Sequence, residues 1–324
     1  MQKREISIDI LKTIGVILMS FVHVNTIFFT GKGILDGITY LGSTVCFSIF
    51  LFAIGYINGK KVIDNNEDCW AKVWQKVLWI HLCYLLLGIF SLYLFNGSFD
   101  VKDILNLVLF NNTPLFTEFL ISLIFFTILS KLLFKPLKSL INKPYLLISI
   151  SLVLFLLGSF LSKLDITNPL LSFLQKHLVG FQGIHLFPVF QYMSVYIMGI
   201  LCAKYGSKLT YAWTFSLSFL LAVLLKAFGV EGWYRWPPSL SFILYGIIFI
   251  SFVMFLLQFI NENKHTKHLT LFGKYPLLSL FLLTVITFLV KIFLKEPSVS
   301  HLLLWFLNIS ILALCYLGIY LLKK

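Results

Sequence analysis

The chain predicts an all-α, polytopic integral membrane protein with about ten transmembrane helices and both termini in the cytoplasm, and three observations carry that prediction. Of 324 residues, 59% are hydrophobic and 12% charged, against roughly half and a quarter in soluble domains. Apolar runs of the ~18–25 residues needed to cross a bilayer recur along the whole length. Lysines gather in alternate connections between those runs. The net charge of +13, which in a soluble chain would suggest nucleic acid, reads here as topology, so no nucleic-acid partner is expected.

Taken in order, the expected spans lie near 8–29, 37–57, 75–96, 114–134, 145–162, 187–204, 210–229, 239–260, 269–291 and 301–322. No small-residue cleavage site precedes the first, which is therefore expected to be retained. Lys60, Lys61, Lys72 and Lys76 follow the second span, Lys131, Lys135, Lys138 and Lys143 the fourth, and Lys204 and Lys208 the sixth. Lys264, Lys267 and Lys274 follow the eighth, and Lys323 and Lys324 close the chain. With Lys3 and Arg4, one face collects about twice the Lys and Arg of the other, which places it in the cytoplasm. On the opposite face, 165–185 is the sizeable loop, and 169–178 within it reads as a short surface helix. The piece 104–110 is too short to span and is expected to be interfacial or re-entrant. No repeat, linker or soluble domain interrupts the pattern, so residues 1–324 form a single domain. The five cysteines show no metal-like spacing and read as small hydrophobes.

Chemistry is sought where polar groups enter apolar helices. In the first span, Asp9, Lys12, Ser20, His23 and Thr26 fall near one stripe of an otherwise apolar cylinder, and that seam should face protein or a water-filled cavity. An ionisable group at that depth needs a reason. A core histidine bonded to a neighbouring helix is one, and a functional site, favoured by the aligned Lys12 and Asp9, is the other. At 1.5 Å per residue, His23 sits about 22 Å into a ~30 Å core, and Lys12 about 16 Å below it. An extended pantetheine arm has that reach, so a nucleotide head at Lys12 can bring a thioester to His23.

Glu118 enters from the opposite face to a similar depth. It either fixes the tautomer of His23 for general-base work or pairs with Arg235. Lys72 and Lys76, with Lys60, Lys61 and the interleaved Trp70, Trp74 and Trp79, form a basic aromatic edge that can take donor phosphates or simply anchor the chain at the interface. Tyr234, Arg235, Trp236 and two prolines open the eighth span, with Gln191 and Tyr192 at a comparable level in the sixth. These suit a sugar or carboxylate, or an interfacial belt. His81 and Tyr84, read on the inner half of the third span, are expected to bond neighbouring helices. No Walker loop, GxSxG elbow, HExxH or dinucleotide fingerprint occurs.

These residues carry a resemblance. The stretch SIDILKTIGVILMSFVHVN, with Asp9, Lys12 and His23, resembles the first helix of the membrane-bound acyltransferase family 3, with Lys12 where the family usually has arginine. The stretch 46–56 is similar to its Phe-rich second helix, with Ile54 in place of a serine. Lys72 and Lys76 fall where basic residues precede its third helix, and LFPVFQYMSVYIMGILCAKYG is similar to its Phe-Pro-to-Gly helix. Gly273, Lys274, Tyr275 and Ser279 faintly match the penultimate helix, without its late histidine. The resemblance implies transfer of an acyl, most often acetyl, group from cytoplasmic acetyl-CoA, a co-substrate and not a resident cofactor, to an envelope carbohydrate or glycolipid. The setting would be a bacterial plasma membrane. His23 would be the base with Glu118 orienting it. Asp9, Lys12, Lys72 and Lys76 would hold the donor, and Arg235, Trp236, Gln191 and Tyr192 the acceptor; no metal is implied. The rival reading is a transporter or flippase of an envelope precursor, and a third is an inactive sensor or scaffold.

Overall fold

Leu-, Ile- and Phe-rich runs leave the backbone one solution in hydrocarbon, which is to satisfy its N–H and C=O groups within each segment as α-helix. The structure, a computed structural model, describes residues 5–28, 33–98, 100–111, 113–181, 187–229, 234–260, 268–294 and 300–323. Lys3, Arg4, Lys264, Lys267 and Lys324 of the expected basic face, and 182–186 of the expected loop, lie outside them. The helices are α1 (Ile6–Phe28), α2 (Ile34–Ile63), α3 (Trp70–Asn96), α4 (Val101–Val108), α5 (Glu118–Leu132), α6 (Phe134–Leu140) and α7 (Pro144–Leu161). They continue with α8 (Pro169–Leu178), α9 (Val189–Tyr205), α10 (Lys208–Ala227), α11 (Leu240–Leu257), α12 (Leu271–Lys274), α13 (Pro276–Leu294) and α14 (His301–Leu322). No β-strand occurs among the described residues.

Eight described helices are long and apolar enough to cross a membrane, and nine if α5 and α6, which meet at a 65° bend, count as one broken span. The prediction of ten differs by α9, which is 17 residues long. A second difference is the expected span 269–291, which divides into α12 and α13 at Pro276. Proline has no N–H to continue a helix but suits the first position of a new one.

The frame that positions everything else is α1, α2 and α9. A Cβ on Gly55 of α2 would lie 2.1 Å from the backbone oxygen of Tyr196 in α9, and one on Gly199 of α9 would lie 2.2 Å from the Phe52 oxygen. Two helices that close need glycine on both sides, since the small residue is what lets the backbones approach. The same device docks α12 on α1. A Cβ on Gly273 would meet the Asp9 oxygen at 1.8 Å, and the Gly273 N–H donates to Thr13 Oγ1 at 2.9 Å. At the periphery, α10 buries only Tyr211 and turns the rest of its surface outward.

The two short pieces behave differently from one another. In α4, Asp100 and Asp103 form a reciprocal capping box. In α8, Gln175 and His177 are buried while Leu170, Leu171 and Leu174 are exposed, as suits a surface helix that offers its apolar side to the membrane. Gln175 Nε2 donates to the Leu161 and Leu164 carbonyls at 2.8 and 2.6 Å, which closes the end of α7. His177 packs on Phe125 and Phe173. Burial foremost, and then the Lys176 charge, holds its pKa down to about 4, against an accepting carbonyl at Phe110 that acts to raise it.

The fold thus favours the neutral His177 ring. Its contribution is complete above the unfolded value of about 6.5 and is lost as pH falls from there toward about 4. Hydrogen exchange in α8, corrected for intrinsic rates, is expected to quicken between about pH 7 and about pH 5 in the wild type and not in His177→Phe. Equal protection at both values would contradict this.

Candidate functional site

Polar side chains collect at the two ends of the helix bundle, and α1 connects them. At the lysine-rich end, Lys12 Nζ lies 2.7 Å from Asp9 Oδ1, one turn away on the same helix. Lys60 pairs with Glu5 at 2.9 Å, and the Tyr56 hydroxyl also donates to Glu5. Between α2, α3, α5 and α6 opens a cavity of about 200 Å³ lined by Lys61, Lys76, Lys131, Asp68, Asn58 and Ser130 among others. Asp68 bridges Lys61 at 2.5 Å and Lys76 at 2.7 Å, and Glu67 pairs with Lys131 at 2.5 Å. Burial works to raise the Asp68 pKa, but the two ammonium groups prevail and hold it at about 2. Deeper in, Asn58 Nδ2 donates to Ser130 Oγ at 2.6 Å, and the Tyr196 hydroxyl donates to the same oxygen at 3.0 Å.

This end divides the expected donor residues. Lys76 lines the cavity. Lys72 is exposed and outside its lining, because four residues of α3 turn the two lysines by about 40°. Trp70, Trp74 and Trp79 are exposed on the outside of α3 and do not line the cavity. Lys61 of the same expected edge also lines the cavity, and Lys131, Asn58 and Ser130 are lining residues that the expected edge did not include.

At the other end, His23 is 2% exposed. Its Nδ1 lies 3.1 Å from Thr284 Oγ1 of α13, and the Thr284 hydroxyl donates to the Leu280 carbonyl at 2.8 Å. A hydroxyl has one proton, so Thr284 accepts from the ring. The hydrogen-bond network therefore assigns the imidazole proton to Nδ1 and leaves the lone pair on Nε2. The ring is stacked on Phe116 with centroids 4.0 Å apart. Phe116 has φ 69°, a left-handed conformation that is strained for a bulky residue. The expected hydrogen bond from Glu118 to His23 is not made, since Thr284 occupies Nδ1.

Glu118 is instead within electrostatic reach of Arg235, in the turn before α11, without an ion-pair contact. Burial lowers the Arg235 pKa, and Glu118, then Tyr192 and Cys46, oppose that shift. The guanidinium lies 3.9 Å from the Trp236 ring centroid and 5.4 Å from that of Phe187. Tyr192 packs edge-on to Phe47 at 4.6 Å. Gln191, expected beside Tyr192, points elsewhere. It fills the space over Gly158 of α7 and donates to the Val179 carbonyl at 2.6 Å, as neighbouring residues on a helix face about 100° apart.

The polar seam on α1 is Asp9, Lys12, Ser20 and His23, all buried, whereas Thr26 is exposed. Buried Asn25 takes its place toward the end of the helix, bonded to Thr39 at 2.8 Å and to Asn308 at 3.1 Å. His81 and Tyr84 pack against Phe110 of the α4–α5 connection, which sets them beneath the far end.

A family model describing an acyltransferase domain, Acyl_transf_3, matches residues 5–323. The chain belongs to the acyltransferase 3 family. It is therefore a multi-pass membrane acyltransferase, as its resemblance implied, and the match takes in both ends of α1. No curated protein and no solved structure matches the chain. In this acyltransferase 3 family chain, α1 runs unbroken from Ile6 to Phe28, so Lys12 and His23 are about 16 Å apart along one axis. One helix thus carries a basic residue near the lysine-rich end and a histidine near the other.

Proposed function

We propose that the protein transfers an acetyl group from cytoplasmic acetyl-CoA to a hydroxyl or amine of an envelope carbohydrate or glycolipid at a bacterial plasma membrane, both of its termini being cytoplasmic. The observation that carries the reading is the Thr284-held tautomer of His23, which leaves the lone pair on Nε2 beside Phe116. In the reaction, Nε2 takes the acceptor's proton as its oxygen or nitrogen attacks the thioester carbonyl. The C–S bond then breaks, and the departing thiolate receives that proton from the imidazolium.

The lysine-rich cavity, with Lys61, Lys76 and Lys131, would take the donor's phosphates, and the Lys12–Asp9 pair would stand along its path toward His23. Lys72 would contribute at the entrance as a surface charge. Arg235, Trp236 and Tyr192 would face the acceptor with Glu118, while Gln191 would support the α7 side of that site.

Thr284 supplies a specific test. Thr284→Val is expected to lower kcat about 5- to 30-fold, the worth of one hydrogen bond of about 1–2 kcal/mol. The KM for acetyl-CoA should be unchanged, and the pH dependence of kcat should shift. Thr284→Ser should restore the rate, because it keeps the hydroxyl. A valine variant with wild-type kcat and pH profile would remove Thr284 from the mechanism.

A further inference from the structure

Arg235 is the chain's one arginine besides Arg4. Its turn is closed at both ends. Arg235 bridges to Pro238, the Ser239 N–H donates to the Tyr234 carbonyl at 2.9 Å, and Pro237 abuts Gly180. The guanidinium is thus presented by a fixed loop. Its named contacts are with aromatic rings, at 3.9 Å to Trp236 and 5.4 Å to Phe187, and such contacts consume none of its five N–H donors.

Among the described residues no carboxylate lies within ion-pair distance of Arg235, and its Nε is sealed from solvent with no acceptor. Glu118 is close enough to be felt but not to bond. The hydroxyl of Tyr192, a fully buried side chain, is likewise sealed and unbonded, and its ring lies 5.6 Å from Phe187, the ring that the guanidinium also faces at 5.4 Å. Buried donors are normally satisfied. A guanidinium and a phenol that share one neighbouring ring and both keep open donors match an anion whose oxygens can take them together.

We infer that Arg235 and Tyr192 form the recognition site for a carboxylate or phosphate group on the acceptor, so that the substrate class is an anionic sugar or glycolipid. The inference rests on the acyl-transfer reading for the word acceptor, but the site itself does not require transfer. Glu118, whose charge the guanidinium feels, then disfavours a second anionic group and favours a ligand with one.

The test uses the full-length protein in lipid nanodiscs and measures binding of glucose, glucuronate and glucose 1-phosphate without any donor. At least one of the two anions is expected to bind tenfold or more tighter than glucose, and which one does so identifies the group. Arg235→Gln should abolish the preference, Arg235→Lys should keep part of it because the charge stays and the fork is lost, and Tyr192→Phe should reduce it. Equal binding of all three sugars, no binding of either anion, or an undiminished preference in Arg235→Gln would overturn the assignment. Acetyl transfer measured on the same samples separates the two readings. Turnover with neutral glucose and no anion preference defeats the anion site alone, whereas anion preference without acetyl-CoA consumption defeats the transfer reading alone.

Discussion

His23→Ala is expected to lower acetyl transfer by about 10²- to 10⁴-fold, the range a general base contributes, with the protein still inserted and folded. The side chain is buried, but it is held by one hydrogen bond, to Thr284, and one ring contact, to Phe116. Its removal leaves Thr284 still bonded to the Leu280 carbonyl, so α13 keeps its own satisfaction and α1 keeps its apolar neighbours. The loss should therefore fall on kcat, with binding of CoA to membranes unchanged. His23→Gln can refill the space and the Thr284 bond but offers no base, and it should be as inactive as alanine. Either variant turning over at the wild-type rate would show that the imidazole is not the proton acceptor.

A large stability effect is expected at the α2–α9 crossing. In Gly55→Ala the new methyl would begin 2.1 Å from the Tyr196 carbonyl oxygen, and the obstacle is backbone, which no rotamer change can clear. Overpacking of this kind costs about 1–3 kcal/mol and sometimes more, and here it would push α9 away from α2, the helix on which α1 packs. The thermal midpoint of the purified protein should fall by several degrees, and activity with it. Gly37→Ala on the same helix is the control, since nothing lies within 4 Å of its Cβ position and alanine favours helix. A Gly55→Ala variant as stable as Gly37→Ala would mean that the helices are not in this contact.

Much of this was legible in the sequence, for physical reasons that also mark where legibility ends. A histidine in an apolar run stands out because hydrocarbon penalises it, so His23 and its depth were readable from α1 alone. Its partner was not. Thr284 is an ordinary residue in a helix 261 positions away, and a threonine that bonds its own helix carbonyl leaves no trace in hydropathy. Glu118 attracted the orienting role because charge is conspicuous, but the ring needed a hydroxyl.

From the sequence, Lys12 and Asp9 read as contacts for the donor; three apart on one helix, they pair with each other in the structure, and the donor contact belongs to the proposal. The surface helix α8 was legible from its split of leucines against polar residues, but the burial of Gln175 and His177 was not, because their partners lie on other helices. The break at Pro276 was masked by hydropathy, which runs unchanged across it, although the proline itself spelled a helix start.

The account stands most directly on where an acetyl group goes. Cells with and without the gene would be supplied with isotopically labelled acetate to label acetyl-CoA, and envelope polysaccharide and glycolipid analysed by mass spectrometry. The prediction is a species heavier by one labelled acetyl group that appears only with the gene and disappears in His23→Ala, with CoA released in step in isolated membranes. Identical spectra with and without the gene, or passage of an envelope precursor across the membrane with no CoA released, would contradict it.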